Sequence, residues 1–172
     1  MLLCILCIRL FAISLTGDER GRIFILTRVG FASSQLQGPV FALGAEARIR
    51  GRLYGRLELD YTACQERSEE ESGIDYALGV NLVVSFKIPL SKILEFSIHA
   101  GGHYTSIKER FIIPGASYSL LETGQGPVAG LGFRYQLSNR IYFDAGGTIK
   151  YLLADVSKTW FTCTVGITYR IK

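Results

Sequence analysis

Residues 75–87 read DYALGVNLVVSFK, with an apolar side chain at every second position. Tyr76, Leu78, Val80, Leu82, Val84 and Phe86 share one face. Asp75, Ala77, Gly79, Asn81, Val83, Ser85 and Lys87 share the other. A period of two belongs to an extended strand, whose successive side chains point to opposite sides; a helix repeats every ~3.6 residues. The same alternation returns in residues 22–33, 40–50, 52–62, 94–105, 127–136, 141–151 and 160–171, which makes eight segments. Beyond residue 15 no apolar run is long enough to span a membrane as a helix. At 172 residues the chain is one domain by size. Its eight strands predict an all-β fold, a closed antiparallel up-and-down barrel.

Alternation alone does not say which face is wet. A soluble barrel of the lipocalin type keeps its apolar residues inside, and a membrane barrel turns them outside. Three features favour the membrane form. The polar faces are rich in Gly, Ala, Ser and Thr. A narrow lumen needs such small residues, whereas glycine on a solvent face only weakens a strand. The apolar faces carry aromatics near strand ends: Phe31, Phe41, Tyr61, Tyr76, Tyr104, Tyr151 and Phe161 toward one rim, and Phe86, Tyr135, Phe143 and Tyr169 toward the other. Two aromatic girdles mark the interfaces of a membrane barrel. Finally, keeping apolar faces aligned across the three short turns pairs Ile49 with Leu53, Ile88 with Leu94 and Leu137 with Ile141. That register sets Glu46 against Arg56, Lys87 against Glu95, and Arg134 against Asp144 on the inner face. Such pairs neutralise charges that bulk water does not reach.

The last strand adds a resemblance. Thr164-Val165-Gly166-Ile167-Thr168-Tyr169-Arg170-Ile171 is similar to the assembly signal on terminal strands of outer-membrane barrels, although Lys172 follows where a Phe is usual. The stretch from Gly130 through Gln136, with Asp144-Ala145-Gly146-Gly147, resembles the small outer-membrane barrel families of OmpA, OmpX and Ail type. The resemblance implies a bacterial outer-membrane location. It implies lipid and lipopolysaccharide as surroundings, and contact with the assembly machinery through Thr164, Gly166, Tyr169 and Ile171. Connections near Gly51, Leu90 and Asn139 are short, and those near Gln35, Glu70, Ser117 and Ala154 are mostly longer. Short turns then face the periplasm with both termini, and long loops face outward. Residues 1–14 read as an export signal, with Ala12-Ile13-Ser14 at its end and the barrel occupying 15–172. Arg9 interrupts this run and no basic stretch precedes it, which fits a start upstream of Met1. The competing reading is an amphipathic or buried N-terminal strand. Cys64 and Cys163 fall on opposite faces, so no disulfide is expected.

The net charge is +4, and losing Arg9 with the leader leaves 4 − 1 = +3. No long basic block accompanies it, so nucleic acid is not an expected partner. No metal-ligand spacing or phosphate-binding loop appears, and no cofactor is expected. The inner charges, Arg28, Glu58, Asp60 and Lys150 among them, read as a salt-bridged filling, because eight strands enclose only side chains. His103-Tyr104-Thr105 resembles the His-x-Ser pair of outer-membrane lipid A deacylases, with Glu109 or Glu122 as a third group, but it points inward and carries Thr for Ser. Glu66, Glu69, Glu70 and Glu71 form an acidic external loop suited to divalent cations. Residues 108–125 are the longest loop, with apolar residues that fit either a contact surface or an extended hairpin. The expected role is that of a monomeric, non-enzymatic barrel acting structurally or through its external loops. The alternatives are a narrow porin-like channel, a lipid A deacylase-like enzyme and a soluble lipocalin-like carrier.

Overall fold

The computed structural model describes residues 22–34, 36–64, 73–113, 116–154 and 157–171. The leader read at 1–14 and the acidic loop from Glu66 to Glu71 lie outside them. The strands are β1 (Ile23–Ser34), β2 (Gly38–Arg50), β3 (Leu53–Ala63), β4 (Gly73–Pro89), β5 (Leu94–Ile113), β6 (Ala116–Gln136), β7 (Ile141–Leu152) and β8 (Lys158–Arg170). Each pairs antiparallel with its sequence neighbour, and β1 pairs with β8 to close the barrel. Closure leaves no free edge within the barrel wall, where an unpaired backbone group could not find water in lipid.

The alternation decides what each face meets. Leu43, Leu78 and Leu131 are 55%, 52% and 52% exposed on the outside, while Arg56 and Glu46 are 4% and 2% exposed within. Soluble proteins bury the opposite set. The surface is therefore built for hydrocarbon, and the soluble carrier is the wrong arrangement. Both girdles face outward, and Tyr61 and Tyr76 lie with their rings 6.0 Å apart. Cys64 is half-buried, Cys163 is exposed, and both are free thiols.

Two of the expected registers match the observed pairing: Glu46 sits opposite Arg56, and Arg134 opposite Asp144. The β2–β3 hairpin reaches its turn through a bulge that pairs Arg50 with Leu53. Gly51, at φ 56°, takes the left-handed conformation there. The β4–β5 register differs from the expected one by two residues. Lys87 faces Ser97, and Glu95 faces Pro89 and Arg134. The cause is the turn. The Ser91 hydroxyl accepts hydrogen bonds from the amides of Ile93 and Leu94, and the Leu90 amide donates to the Leu94 carbonyl at 2.9 Å. This tight closure starts at Leu90 rather than Ile88. Ser138 closes the β6–β7 turn in the same way, bonding the amides of Arg140 and Ile141. The shared Leu-Ser at 90–91 and 137–138 is a signal that the facial pattern alone does not carry.

The long loop expected at 108–125 is mostly hairpin. β5 and β6 stay paired out to Ile113 opposite Ala116. Their apolar alternation fades because Ser106, Lys108 and Arg110 occupy the outer face, beyond the girdle at Tyr104. Backbone pairing needs no lipid-facing side chains to continue.

Gly166 lies opposite Arg28 on β1 and Asp144 on β7. A Cβ there would sit 2.0 Å from the Thr27 carbonyl oxygen, so the closing strands meet over a glycine. Gly166→Val is expected to destabilise the barrel by about 1–3 kcal/mol. The measurement is the urea midpoint at which the unboiled, fast-migrating band on a denaturing gel is lost; an unchanged midpoint would contradict the close approach.

Candidate functional site

Two places carry chemistry: the lumen and the outer end of β5–β6. The lumen begins at the short-turn end with three rings. Phe24 lies 6.2 Å from Tyr54 and 5.8 Å from Tyr142, the latter edge-on at 76°. The Lys87 ammonium sits 4.0 Å from the centre of Tyr54 and 5.1 Å from that of Phe24. The Arg134 guanidinium lies 5.0 Å from Phe24 and 5.8 Å from Tyr142. Rings present negative faces to cations and exclude water at the same time.

Above the rings is the charged layer. Glu46 accepts hydrogen bonds from Lys87 and, at 2.8 Å, from Arg134. Arg134 also donates to Asp144 at 2.8 Å, and Asp144 accepts from the Thr168 hydroxyl. Glu58 takes Arg28 at 3.3 Å and lies 3.8 Å from Arg56. Asp60 takes Lys150 at 2.8 Å and Asn81 at 2.5 Å. The cross-strand pairs read from the sequence thus become an across-lumen network. Glu46, facing Arg56 along the sheet, is ion-paired to Lys87 and Arg134; Lys87 answers to Glu46 and not to Glu95. Strand register shows only wall neighbours, while a narrow lumen also joins side chains from opposite walls. Between Arg28, Arg56, His99 and Arg134 remains a cavity of about 20 Å³, room for about one water.

The outer end is sealed differently. Ala32, Leu36, Val40, Ala77, Ile107, Leu152 and Trp160 form a dry cluster across the lumen. His103 packs edge-on against Trp160 at 5.4 Å, 81°. Its Nδ1 lies 2.8 Å from the Thr105 hydroxyl, and its Nε2 lies 3.2 Å from the Tyr151 carbonyl. His103 and Thr105 therefore do touch, and both are buried inside the wall, on the face opposite the lipid-facing Tyr104. Tyr54 lies on the inner face with Arg56, Glu58 and Asp60, as its alternation with Leu53 and Leu57 predicts, whereas Phe24, Tyr142 and Trp160 escape a reading of that face as small and polar. Their signal is a local loss of alternation, as in Ile23-Phe24-Ile25-Leu26 and Trp160-Phe161.

Beyond the seal, Lys158 bridges Glu109 at 2.5 Å and also Glu122, tying β8 to β5 and β6. Partial burial lowers the Lys158 pKa, but the two carboxylates outweigh it and hold the ammonium above its usual value. Past this clamp, Phe111 stacks on Tyr118 at 5.3 Å, while Tyr118, Leu120 and Leu121 are exposed. On β6, the Gln125 carbonyl accepts from the Leu153 amide at 2.8 Å, so its backbone groups point toward β7. By alternation, Thr123, Leu121, Ser119 and Ser117 present theirs to the same side. Beyond Gln125, no strand among the described residues pairs with that edge.

A closed eight-stranded barrel with an apolar exterior, a salt-bridged interior and a projecting hairpin has the fold of the small outer-membrane barrels. The solved structures similar to it are of that kind. Neisserial surface protein A aligns with TM-score 0.62 and 12% identity over 88% of this chain and 97% of that one. A major outer membrane protein of Thermus thermophilus aligns with TM-score 0.71 and 12% identity over 89% and 100%. Ail, the attachment invasion locus protein of Yersinia pestis, aligns with TM-score 0.56 and 16% identity over 88% and 97%. No protein-family model matches the chain, and no curated protein matches it in sequence.

Glu46→Gln should leave Lys87 and Arg134 short of a charge partner in a buried site. The expected loss is about 3–5 kcal/mol, read from urea unfolding of the protein folded in lipid vesicles. A loss below about 1 kcal/mol, the range of an exposed pair, would show that the network is solvated. In planar bilayers the two seals predict no stable single-channel steps; regular ohmic steps from the purified protein would refute the closed lumen.

Proposed function

We propose that the chain is an integral protein of the bacterial outer membrane whose barrel is a scaffold, and whose β5–β6 hairpin makes contacts at the cell surface. The observation that carries this reading is the hairpin itself. It continues the barrel wall outward, is held at its base by Lys158, and exposes Tyr118, Leu120 and Leu121 beside a strand edge that no strand among the described residues pairs with. An open edge of this kind accepts an extended segment of another protein as an added strand. Backbone hydrogen bonds supply affinity in that mode, and the alternate side chains supply selectivity.

Support also comes from the apolar belt and its two girdles, which suit a lipid bilayer, and from the fold shared with surface and attachment proteins. Lipopolysaccharide is the expected neighbour of the outer girdle. The assembly machinery is the expected reader of the last strand, where Tyr169 and Ile171 face outward. A channel is the weaker reading, because aromatic rings close one end of the lumen and an apolar cluster the other.

The test displays the full chain on a non-adherent bacterial host and measures attachment to epithelial cells. Replacing residues 110–119 by a two-residue Asn-Gly turn shortens the hairpin without entering the barrel wall. That variant is expected to keep its heat-dependent gel shift and lose at least about ten-fold in attachment. Ser119→Pro with Leu121→Pro removes edge amides and is expected to do the same, since proline blocks an edge donor. Wild-type attachment from both variants would reject the hairpin as the contact element.

A further inference from the structure

The two edges of the projecting hairpin are unlike. On the β5 side, β4 stays paired out to Gly73 opposite Arg110, which leaves only residues 111–113 beyond it. On the β6 side, pairing with β7 ends at the Gln125–Leu153 bridge, and no strand among the described residues lies against residues 116–124. Exposed edges are usually guarded by lysines, prolines or bulges. This one is not. Residues 116–124 read ASYSLLETG, with no lysine, arginine or proline, and they pair with β5 without a bulge. Their single charge, Glu122, is already taken by Lys158. Tyr118, Leu120 and Leu121 are 54%, 54% and 58% exposed along this edge.

The edge is also complementary to itself. Antiparallel strands pair through residues whose backbone groups point at the partner, here Ser117, Ser119, Leu121 and Thr123. A two-fold axis beside Ser119 sets Ser119 against Ser119 of a second copy, Ser117 against Leu121, and Tyr118 against Leu120. Phe111, stacked on Tyr118 at 5.3 Å, then extends an apolar row that runs on to the second copy's Leu120. Glu122 falls opposite Ala116, so no like charges meet across the seam. With the other edge largely covered by β4, the pairing closes at two copies and does not propagate.

Orientation decides where the second copy stands. Two barrels in one membrane are related by an axis along the membrane normal. Their β6 strands, tilted ~35–45° from that axis, then point the same way and cross. An isologous pair of equal edges runs antiparallel instead. A two-fold axis lying in the membrane plane gives that arrangement, and it inverts the normal. We propose that the β6 edge pairs with the β6 edge of a second copy of this chain standing in a facing membrane, which makes the hairpin a homotypic bridge between two cells. The proposal rests on the surface-hairpin reading above and names its partner. One such seam is short, but two apposed surfaces present many copies, and their avidity exceeds the affinity of a single pair.

The test mixes two differently coloured populations of a non-adherent bacterial host displaying the full chain. Two-coloured clusters are expected at least about ten-fold more often when both populations display it than when one carries an empty vector. S119P/L121P in either population should abolish them while the heat-dependent gel shift is kept. Should that variant not fold, Y118D/L120D, at two exposed positions, sets carboxylates against each other across the seam and should abolish them too. With the four native cysteines replaced by Ser, S119C cells should yield an oxidation-dependent dimer in their clusters. S117C cells should cross-link to L121C cells and not to one another. The S119C dimer should vanish when the cells are diluted beyond contact. Equal clustering with empty-vector cells, clusters that lack these cross-links, or a dimer that persists on dilution each overturn the proposal. Hairpin-dependent attachment to epithelial cells without any clustering of displaying cells also overturns it, while leaving the hairpin as the contact element. Failure of the surface-hairpin reading is a separate result: attachment to epithelial cells that the shortened hairpin keeps.

Discussion

Glu46 holds the interior together. It is 2% exposed and shared by Lys87 from β4 and Arg134 from β6, while Asp144 from β7 takes the other side of Arg134. A buried ion pair contributes little net stability on its own, since desolvation offsets the attraction. Its influence here is on specificity. Four strands must arrive with correct register and parity for these groups to meet, and any one missing leaves a charge stranded in low dielectric. The exterior cannot supply that selection, because lipid tails do not distinguish one apolar face from another.

The same interior explains why the barrel is a better scaffold than conduit. Cations are spent on carboxylates and ring faces, and the outer end closes with Trp160, Leu152, Ile107 and their neighbours. What is left for partners lies at the two rims. One rim rises into a clamped hairpin with exposed apolar side chains. The other is a set of short turns on or beside which Arg50, Lys92 and Arg140 are exposed.

Strand number and inside–outside parity were legible from alternation, because lipid and lumen impose opposite demands on successive residues. The Arg134–Asp144 contact was legible too, since wall neighbours meet directly there. The Lys87–Glu46 contact was not, because it crosses the lumen between strands that do not adjoin. The β4–β5 register escaped the facial pattern, since a two-residue shift preserves parity; the Ser91 hydroxyl decided it. The hairpin beyond Tyr104 was hidden because its outer face leaves lipid and becomes polar.

The unbroken run of β5 and β6 from lumen to tip has a consequence for variation. A strand has no slack, so one residue inserted in its wall would exchange the two faces of everything beyond it. Leu120 and Tyr118 would turn to the side now held by Leu121 and Ser119, and Glu109 or Glu122 would swing away from Lys158. Length changes in the hairpin can therefore enter two residues at a time in each strand or at the tip, and a single one only with a bulge to absorb it. Substitutions are free to diversify the exposed surface while its height and handedness remain those of the barrel.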